Sequence, residues 1–255
     1  MKEIFDQVLT TFENEDIKQF TQNLIIAAPE YWHHVPASST GKYHPAYSLG
    51  DGGLVRHTIA VVRFLNHMFN VESVGGQFSS RERDLLRAAA IAHDMQKSGS
   101  QTDYEHNKYT KFDHPLRMAG LIRDYKGSDN ILPDSEIELI AHCVESHMGA
   151  FNTDKRHPDI ILPKPTDKYQ IILHLADYLA SRKDIEMKFE EETKQPVSQP
   201  AEQLPDIETY KFTFGKHSGQ TIPEVYALDP GYIRWAKENM EKEPAKSLLK
   251  NFNID

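Results

Sequence analysis

The feature that most constrains the chain is the end of one apolar run. Leu85-Leu86-Arg87-Ala88-Ala89-Ala90-Ile91-Ala92 is apolar on nearly every side of a helix, which predicts a helix buried in the core. His93 and Asp94 follow it directly. Neighbouring helical residues point about 100° apart, so the two side chains cannot crowd onto one coordination position. A carboxylate has two oxygens, however, and can bridge two cations. The step can therefore serve two metals with Asp94 between them. Taken alone, the dipeptide reads more simply as a polar pair capping or leaving a helix. What changes the reading is the set of other histidines and one late aspartate.

The 255 residues, 39% hydrophobic and 26% charged, suit one substantial core and a small appendix. A net charge of −9 argues against a basic surface built to wrap duplex DNA. It leaves room for a local basic groove, or for a metal site that itself supplies positive charge. Cys143 is the only cysteine, which excludes an intrachain disulfide and a cysteine zinc site. With no apolar h-region at the N-terminus and no run long enough to span a bilayer, a cytoplasmic protein with no membrane partner is expected.

Residues 3–27 carry apolar side chains at helical spacing, divisible near residues 14–16 into two helices. Residues 31–53 are rich in Pro, Gly, Ser and aromatics, including His33, His34 and His44; they predict an ordered loop folded over a pocket, or a surface loop anchored by a few rings. Gly52-Gly53 then opens a buried helix over residues 54–65 with His57 in its first turn. After Asp94, Lys97 is close enough to hang over a site and bind phosphate as a point charge, or is merely a solvated loop lysine. Residues 100–113 read as a polar, lid-like segment with an exposed His106. His114-Pro115 begins a helix whose Arg117 shares the histidine's face and could look into the same pocket or into water. The helix beginning at residues 134–137 carries His142 and ends near His147; five residues separate the two, so His147 reaches a shared site only if the helix stops beside it. Residues 151–165 read as a loop. In the helix over residues 166–182, Ile171, Ile172, Leu175, Ala176 and Leu179 are expected inside, His174 is read as structural, and Asp177 is an acid among apolar residues, costly unless paired or bound to a metal.

Composition shifts over residues 188–207 to a polar, Pro-punctuated linker. It divides an all-α helical-bundle domain, 1–187, from a small α+β module, 208–255. The module reads as a strand over 210–214, a turn and two short helices, with Trp235 as its anchoring ring.

His57, His93, Asp94, His114, His142, His147 and Asp177 thus stand on five expected helices. Imidazole and carboxylate without thiolate suit Mn, Fe, Co, Ni, Mg or Zn, which the sequence does not distinguish. Seven such groups are too many for one tetrahedral ion and about right for two octahedral ones. Two cations bridged by an aspartate and a hydroxide hydrolyse phosphate esters. No Gly-rich nucleotide cradle or serine nucleophile elbow competes.

Across residues 31–182 the order His57, His93-Asp94, His114, His142, His147, Asp177 resembles the HD superfamily of metal-dependent phosphohydrolases. The resemblance implies that His57, His93, Asp94 and Asp177 ligate a first metal, that Asp94 bridges to a second held with His114 and either or both of His142 and His147, and that Lys97 matches the family's lysine after the His-Asp step. Met95 and Gln96 stand where the family usually has an aliphatic residue and glycine. The segment Pro36-Ala37-Ser38, His44-Pro45, Gly52-Gly53-Leu54-Val55-Arg56-His57-Thr58 is similar to the lead-in of HD-type 3′-to-5′ exoribonucleases and some conjugative relaxases. Phe214-Gly215-Lys216-His217-Ser218-Gly219-Gln220-Thr221-Ile222 with Asp229-Pro230-Gly231-Tyr232-Ile233-Arg234-Trp235 is similar to the C-terminal module of exonuclease X-like enzymes.

These resemblances imply a metal-dependent phosphodiesterase acting on nucleic-acid ends, with Asp94 and Lys97 catalytic; Lys97 and, from its place on the His114 face, Arg117 are expected on the substrate, with Lys211, Lys216, His217 and Tyr232 available to a phosphate or base. A phosphohydrolase of mononucleotides or a signalling nucleotide is the alternative, favoured by the net acidity. A non-catalytic HD module that binds a ligand is the third.

Overall fold

The computed structural model describes residues 3–38, 41, 44–125, 132–189, 206–213, 215–240 and 245–252. Its contacts fall into two compact units, Met1–Glu190 and Glu191–Asp255. The linker expected at residues 188–207 lies largely outside the described residues.

The first unit is helical: α1 (Glu3–Leu9), α2 (Glu15–Ala27), α3 (Gly53–Phe69), α4 (Glu72–Gly75), α5 (Ser80–Ala92), α6 (Gln101–His106), α7 (His114–Asp124), α8 (Asp134–Ser146) and α9 (Lys168–Ala180). Its only sheet among the described residues is the antiparallel pair β1 (Thr153–Asp154) and β2 (His157–Ile161), set in the stretch expected to be loop. As that apolar run predicts, α5 is the central helix, with Leu85, Leu86 and every residue from Ala88 to Ala92 buried. It packs on α2, α3, α8 and α9. Its start is fixed by a capping box, Ser79 accepting the Glu82 N–H while Glu82 accepts the Ser79 N–H.

Local signals explain several departures from the sequence reading. The segment expected to be a lid contains α6, because Ser100 and Asp103 form a second capping box. In α9 the buried face carries Ile172, Leu173, Ala176 and Ala180, whereas Ile171 and Leu175, expected inside, are each 44% exposed. That helix is apolar almost all round, so periodicity alone could not choose its inner face.

The described residues of the 30–53 segment carry two short 3-10 turns, Glu30–His33 and Ala46–Ser48. Ala37 N–H donates to Ser48 O (3.0 Å) and the Tyr47 hydroxyl to Ala180 O (2.8 Å), tying the loop to itself and to the end of α9. The turn into α3 requires Gly53, where a Cβ would stand 2.3 Å from Ser48 O.

The second unit comprises α10 (Ile222–Leu228), α11 (Pro230–Asn239) and α12 (Ala245–Asn251). Of the strand expected at 210–214, the described residues 210–213 carry an antiparallel bridge between Lys211 and Thr221, and Phe214 lies outside the described residues. Phe212, Ile222, Val225, Ile233, Ala236, Leu248 and Leu249 form the core. Trp235 is not its anchor: it is 54% exposed, and Phe212 holds the buried position. Among the described residues no helix is long and apolar enough to cross a membrane.

Candidate metal centre

Five helices deliver six side chains to one buried place. His57 lies near the start of α3, His93 caps the C-terminus of α5 with Asp94 next to it, His114 opens α7, His147 caps the C-terminus of α8, and Asp177 sits in the last turn of α9. Helix ends serve well here, because a residue leaving the helix can turn back over its own last turn. His147 qualifies because α8 stops at Ser146. Five of the six are buried; Asp177, with a side chain 17% exposed, is the most open.

The donor atoms divide into two groups, His57, His93 and Asp177 in one and Asp94, His114 and His147 in the other, each with its atoms within 4.8 Å of one another. In the first, His57 Nε2 is 3.0 Å and His93 Nε2 3.8 Å from Asp177 Oδ1. In the second, Asp94 Oδ1 is 3.0 Å from His114 Nε2 and 3.7 Å from His147 Nε2. The other oxygen of Asp94, Oδ2, faces back toward the first group, 3.5 Å from His93 Nε2 and 3.9 Å from His57 Nε2. One carboxylate therefore presents an oxygen to each group.

Three imidazoles share a device that fixes their protonation. His93, His114 and His147 each place Nδ1 2.7 Å from a backbone carbonyl three residues earlier, on Ala90, Lys111 and Val144. A carbonyl only accepts, so Nδ1 carries the hydrogen and Nε2 keeps a lone pair for the site. His114 Nε2 and Asp94 Oδ1 thus meet as two acceptors. Although 3.0 Å apart, they make no hydrogen bond, and with His93 Nε2 they are buried polar atoms without a partner among the described residues. Converging lone pairs in a dry site are stable once a cation lies between them. Nitrogen and carboxylate donors without sulfur fit a divalent transition metal or magnesium.

The electrostatics agree. Burial opposes ionisation of Asp94, yet the Lys97 ammonium and the rings of His93 and His114 hold its carboxyl well below the ordinary range. Burial also opposes ionisation of Asp177, and its neighbours His57 and His93 overcome it and hold the carboxyl below its ordinary range. Burial pushes His147 down to about 3, keeping it neutral. Lys97 Nζ rests on Asp94 Oδ2.

Residues 54–182, half of the chain, match the HD domain. The chain belongs to the HD-domain family. HD domains are typically metal-dependent hydrolases, and the two donor groups lie wholly inside the matched HD segment. Residues 212–241 match the exodeoxyribonuclease X-like C-terminal domain. No curated protein and no solved structure matches the chain.

Not every candidate read from the sequence enters the HD centre. His142 does not: its side chain is 55% exposed and faces Glu138 at 3.5 Å, because five residues of helix set it about 140° round α8 from His147. The Arg117 guanidinium is engaged by Asp113 at 2.8 Å and lies 3.7 Å from Asp103. In the C-terminal module, Lys216 Nζ and His217 Nε2 both meet Asp229 Oδ2, at 2.7 and 3.4 Å, which holds the Gly215–Gly219 turn to the start of α11.

Two residues beside the HD centre, His44 and Tyr31, escaped the sequence reading, and a third, His174, is structural, as expected. The His44 ring lies 6.1 Å from that of His57; the signal was a histidine inside an ordered aromatic loop. The Tyr31 hydroxyl donates to Gly99 O at 2.7 Å and accepts the Ser98 N–H at 3.0 Å, fixing the turn that carries Lys97. His174, read as structural, donates Nδ1–H to the carbonyl of His147 at 2.7 Å. It fits only because residue 149 is glycine, with φ +56° and a Cβ position 2.1 Å from the His174 ring.

Proposed function

We propose that the protein is a phosphodiesterase that uses two divalent cations to hydrolyse phosphoester bonds at nucleic-acid ends. The observation that carries this reading is the shared carboxylate: Asp94 Oδ1 serves the His114 and His147 group while Oδ2 faces His57 and His93. His57, His93 and Asp177 would hold one cation and His114 and His147 the other, with Asp94 common to both. Bound cations of this kind lower the pKa of water to yield a nucleophile at neutral pH and neutralise charge growing on the phosphoryl oxygens.

The chain's own groups supply the rest. The Nδ1–H bonds of His93, His114 and His147 hold the rings rigid. Lys97 is the one cationic side chain seated on Asp94 among the described residues, placed to meet a phosphoryl oxygen as a point charge. Near-complete burial of the donor residues favours a substrate that enters end-on, since the interior of a duplex could not approach so enclosed a site. The exodeoxyribonuclease X-like module adds a nucleic-acid association, and the exposed Trp235, 5.8 Å from the Tyr232 ring, offers a face on which a base can stack.

The net charge of −9 favours a second reading, turnover of a mononucleotide or signalling nucleotide, which needs no extended basic track. Incubation of the purified protein with Mn²⁺ and labelled single-stranded RNA and DNA, dNTPs and cyclic dinucleotides separates the two. Shortening of oligonucleotides supports the first reading. Turnover of nucleotides alone supports the second, and inactivity on all of them with metal bound rejects both.

A further inference from the structure

We infer that His44 is a substrate-contacting residue, its imidazole donating a hydrogen bond to the phosphoryl group of the substrate. The inference rests on the metal-dependent reading above and extends it to a residue outside the 54–182 segment that matches the HD domain.

The first observation is placement. The His44 ring stands nearly edge-on to His57, at an interplanar angle of 62°, and the charged and titratable groups that act on it are Lys97, His57, Asp94 and Asp177. These are members of the metal centre and its lysine, contributed by α3, α9 and the end of α5. His44 is therefore addressed to the centre, although the loop that bears it is no part of the helical scaffold.

The second observation is an unmet need. His44 Nδ1 is enclosed and has no hydrogen-bond partner among the described residues. An enclosed polar nitrogen left unpaired costs about 1–3 kcal/mol, and such atoms in a native fold call for an absent ligand, ion or water. His93, His114 and His147 spend Nδ1 on a carbonyl of their own segment and thereby commit Nε2 to the centre. His44 has no such tether, and it is not among the residues whose donor atoms converge as a cation site. A neutral imidazole has one N–H to donate, and the ligand expected beside Lys97 and two cations, a phosphoryl oxygen, is an acceptor.

The third observation is that the position is built. The loop is pinned on both sides of His44, by Ala37 N–H on Ser48 O and by the Arg56 guanidinium on the carbonyls of Tyr47 and Leu49. The Tyr47 hydroxyl reaches across to Ala180 O. A loop tied down at these points can present a donor with less ordering cost when substrate arrives.

The test uses the full chain loaded with Mn²⁺, with inorganic phosphate as the probe. His44→Phe keeps a ring against His57 and removes both nitrogens; His44→Asn keeps a donor close to where Nδ1 stands. Metal content and phosphate affinity are measured for both variants and the wild type. The inference predicts unchanged metal content in both, phosphate binding weakened about tenfold in H44F, and binding within about threefold of wild type in H44N. It is overturned if the loaded wild type binds no phosphate, if H44F binds phosphate as tightly as wild type, or if H44F loses metal, which would make His44 a ligand. Because phosphate binding is read without turnover, failure of the wild type to cleave any phosphoester would reject the proposed activity and leave the assignment of His44 separately judged.

Discussion

His57 Nε2 stands 3.0 Å from Asp177 Oδ1, joining the start of α3 to the last turn of α9. Two such groups in a dry site are held in place by what they jointly bind. Asp177→Asn, which keeps shape and removes charge, should lower metal affinity on the order of 100-fold and abolish most activity. In the wild type, Mn²⁺ at a hundredfold excess over its dissociation constant should add about 2.7 kcal/mol of stability. That corresponds to roughly 5–10 °C in melting temperature for a protein of this size. The rise should vanish in D177N, and a D177N protein that melts and binds Mn²⁺ like wild type would separate Asp177 from the centre.

Lys97 touches Asp94 but is not itself a ligand type. Lys97→Ala should keep the metal content of the wild type and lose activity on the order of 100-fold, as expected for removal of a preorganised charge at the reacting group. Metal analysis beside steady-state kinetics checks it. Joint loss of metal would make Lys97 a support of the site instead.

Tyr31 acts through that lysine. Tyr31→Phe removes only the hydroxyl that receives Ser98 N–H and donates to Gly99 O. It should reduce kcat about tenfold with metal content unchanged. In a Lys97→Ala background the same change should leave kcat nearly untouched, the non-additivity of residues working through one group. Additive effects would argue that Tyr31 merely stabilises the fold.

A pH signature comes from α5, away from the centre. Burial pushes the Glu82 carboxyl up, but hydrogen bonds from the Tyr169 hydroxyl, Ser79 and Lys168 outweigh it and hold the group at about 2 against an ordinary 4.5. A carboxyl depressed on folding contributes stability above its unfolded pKa and loses it as pH falls through the folded value. Glu82→Gln should therefore cost about 1–2 kcal/mol at neutral pH. Between pH 4.5 and 2 the wild type should lose more stability than the variant. Urea unfolding across that range checks it, and parallel curves would contradict it.

The helical class and most of the centre were legible because their signals are local and costly to fake. A buried acid in an apolar helix must be partnered, and this reasoning singled out Asp177. The same reasoning applies to Asp84, which is fully buried on α5 yet belongs to neither donor group found among the described residues. It accepts the backbone N–H groups of Glu13 and Asn14, each at 2.8 Å, and pairs with Arg87 at 2.6 Å, so it ties the N-terminal helices to the core. Burial identifies such an acid; only the neighbours brought by the fold tell a ligand from a tie. His142 and His147 were likewise separable only by where α8 ends. His44 and Tyr31 were hidden because loop geometry has no period to read.

The most direct measurement is the metal stoichiometry of the 255-residue protein equilibrated with Mn²⁺ and freed of excess, compared with Asp94→Ala. The account predicts two tightly held ions per chain in the wild type and loss of both, with activity, when the shared carboxylate is removed. A wild type that holds fewer than two, or an Asp94→Ala protein that keeps both, would contradict it.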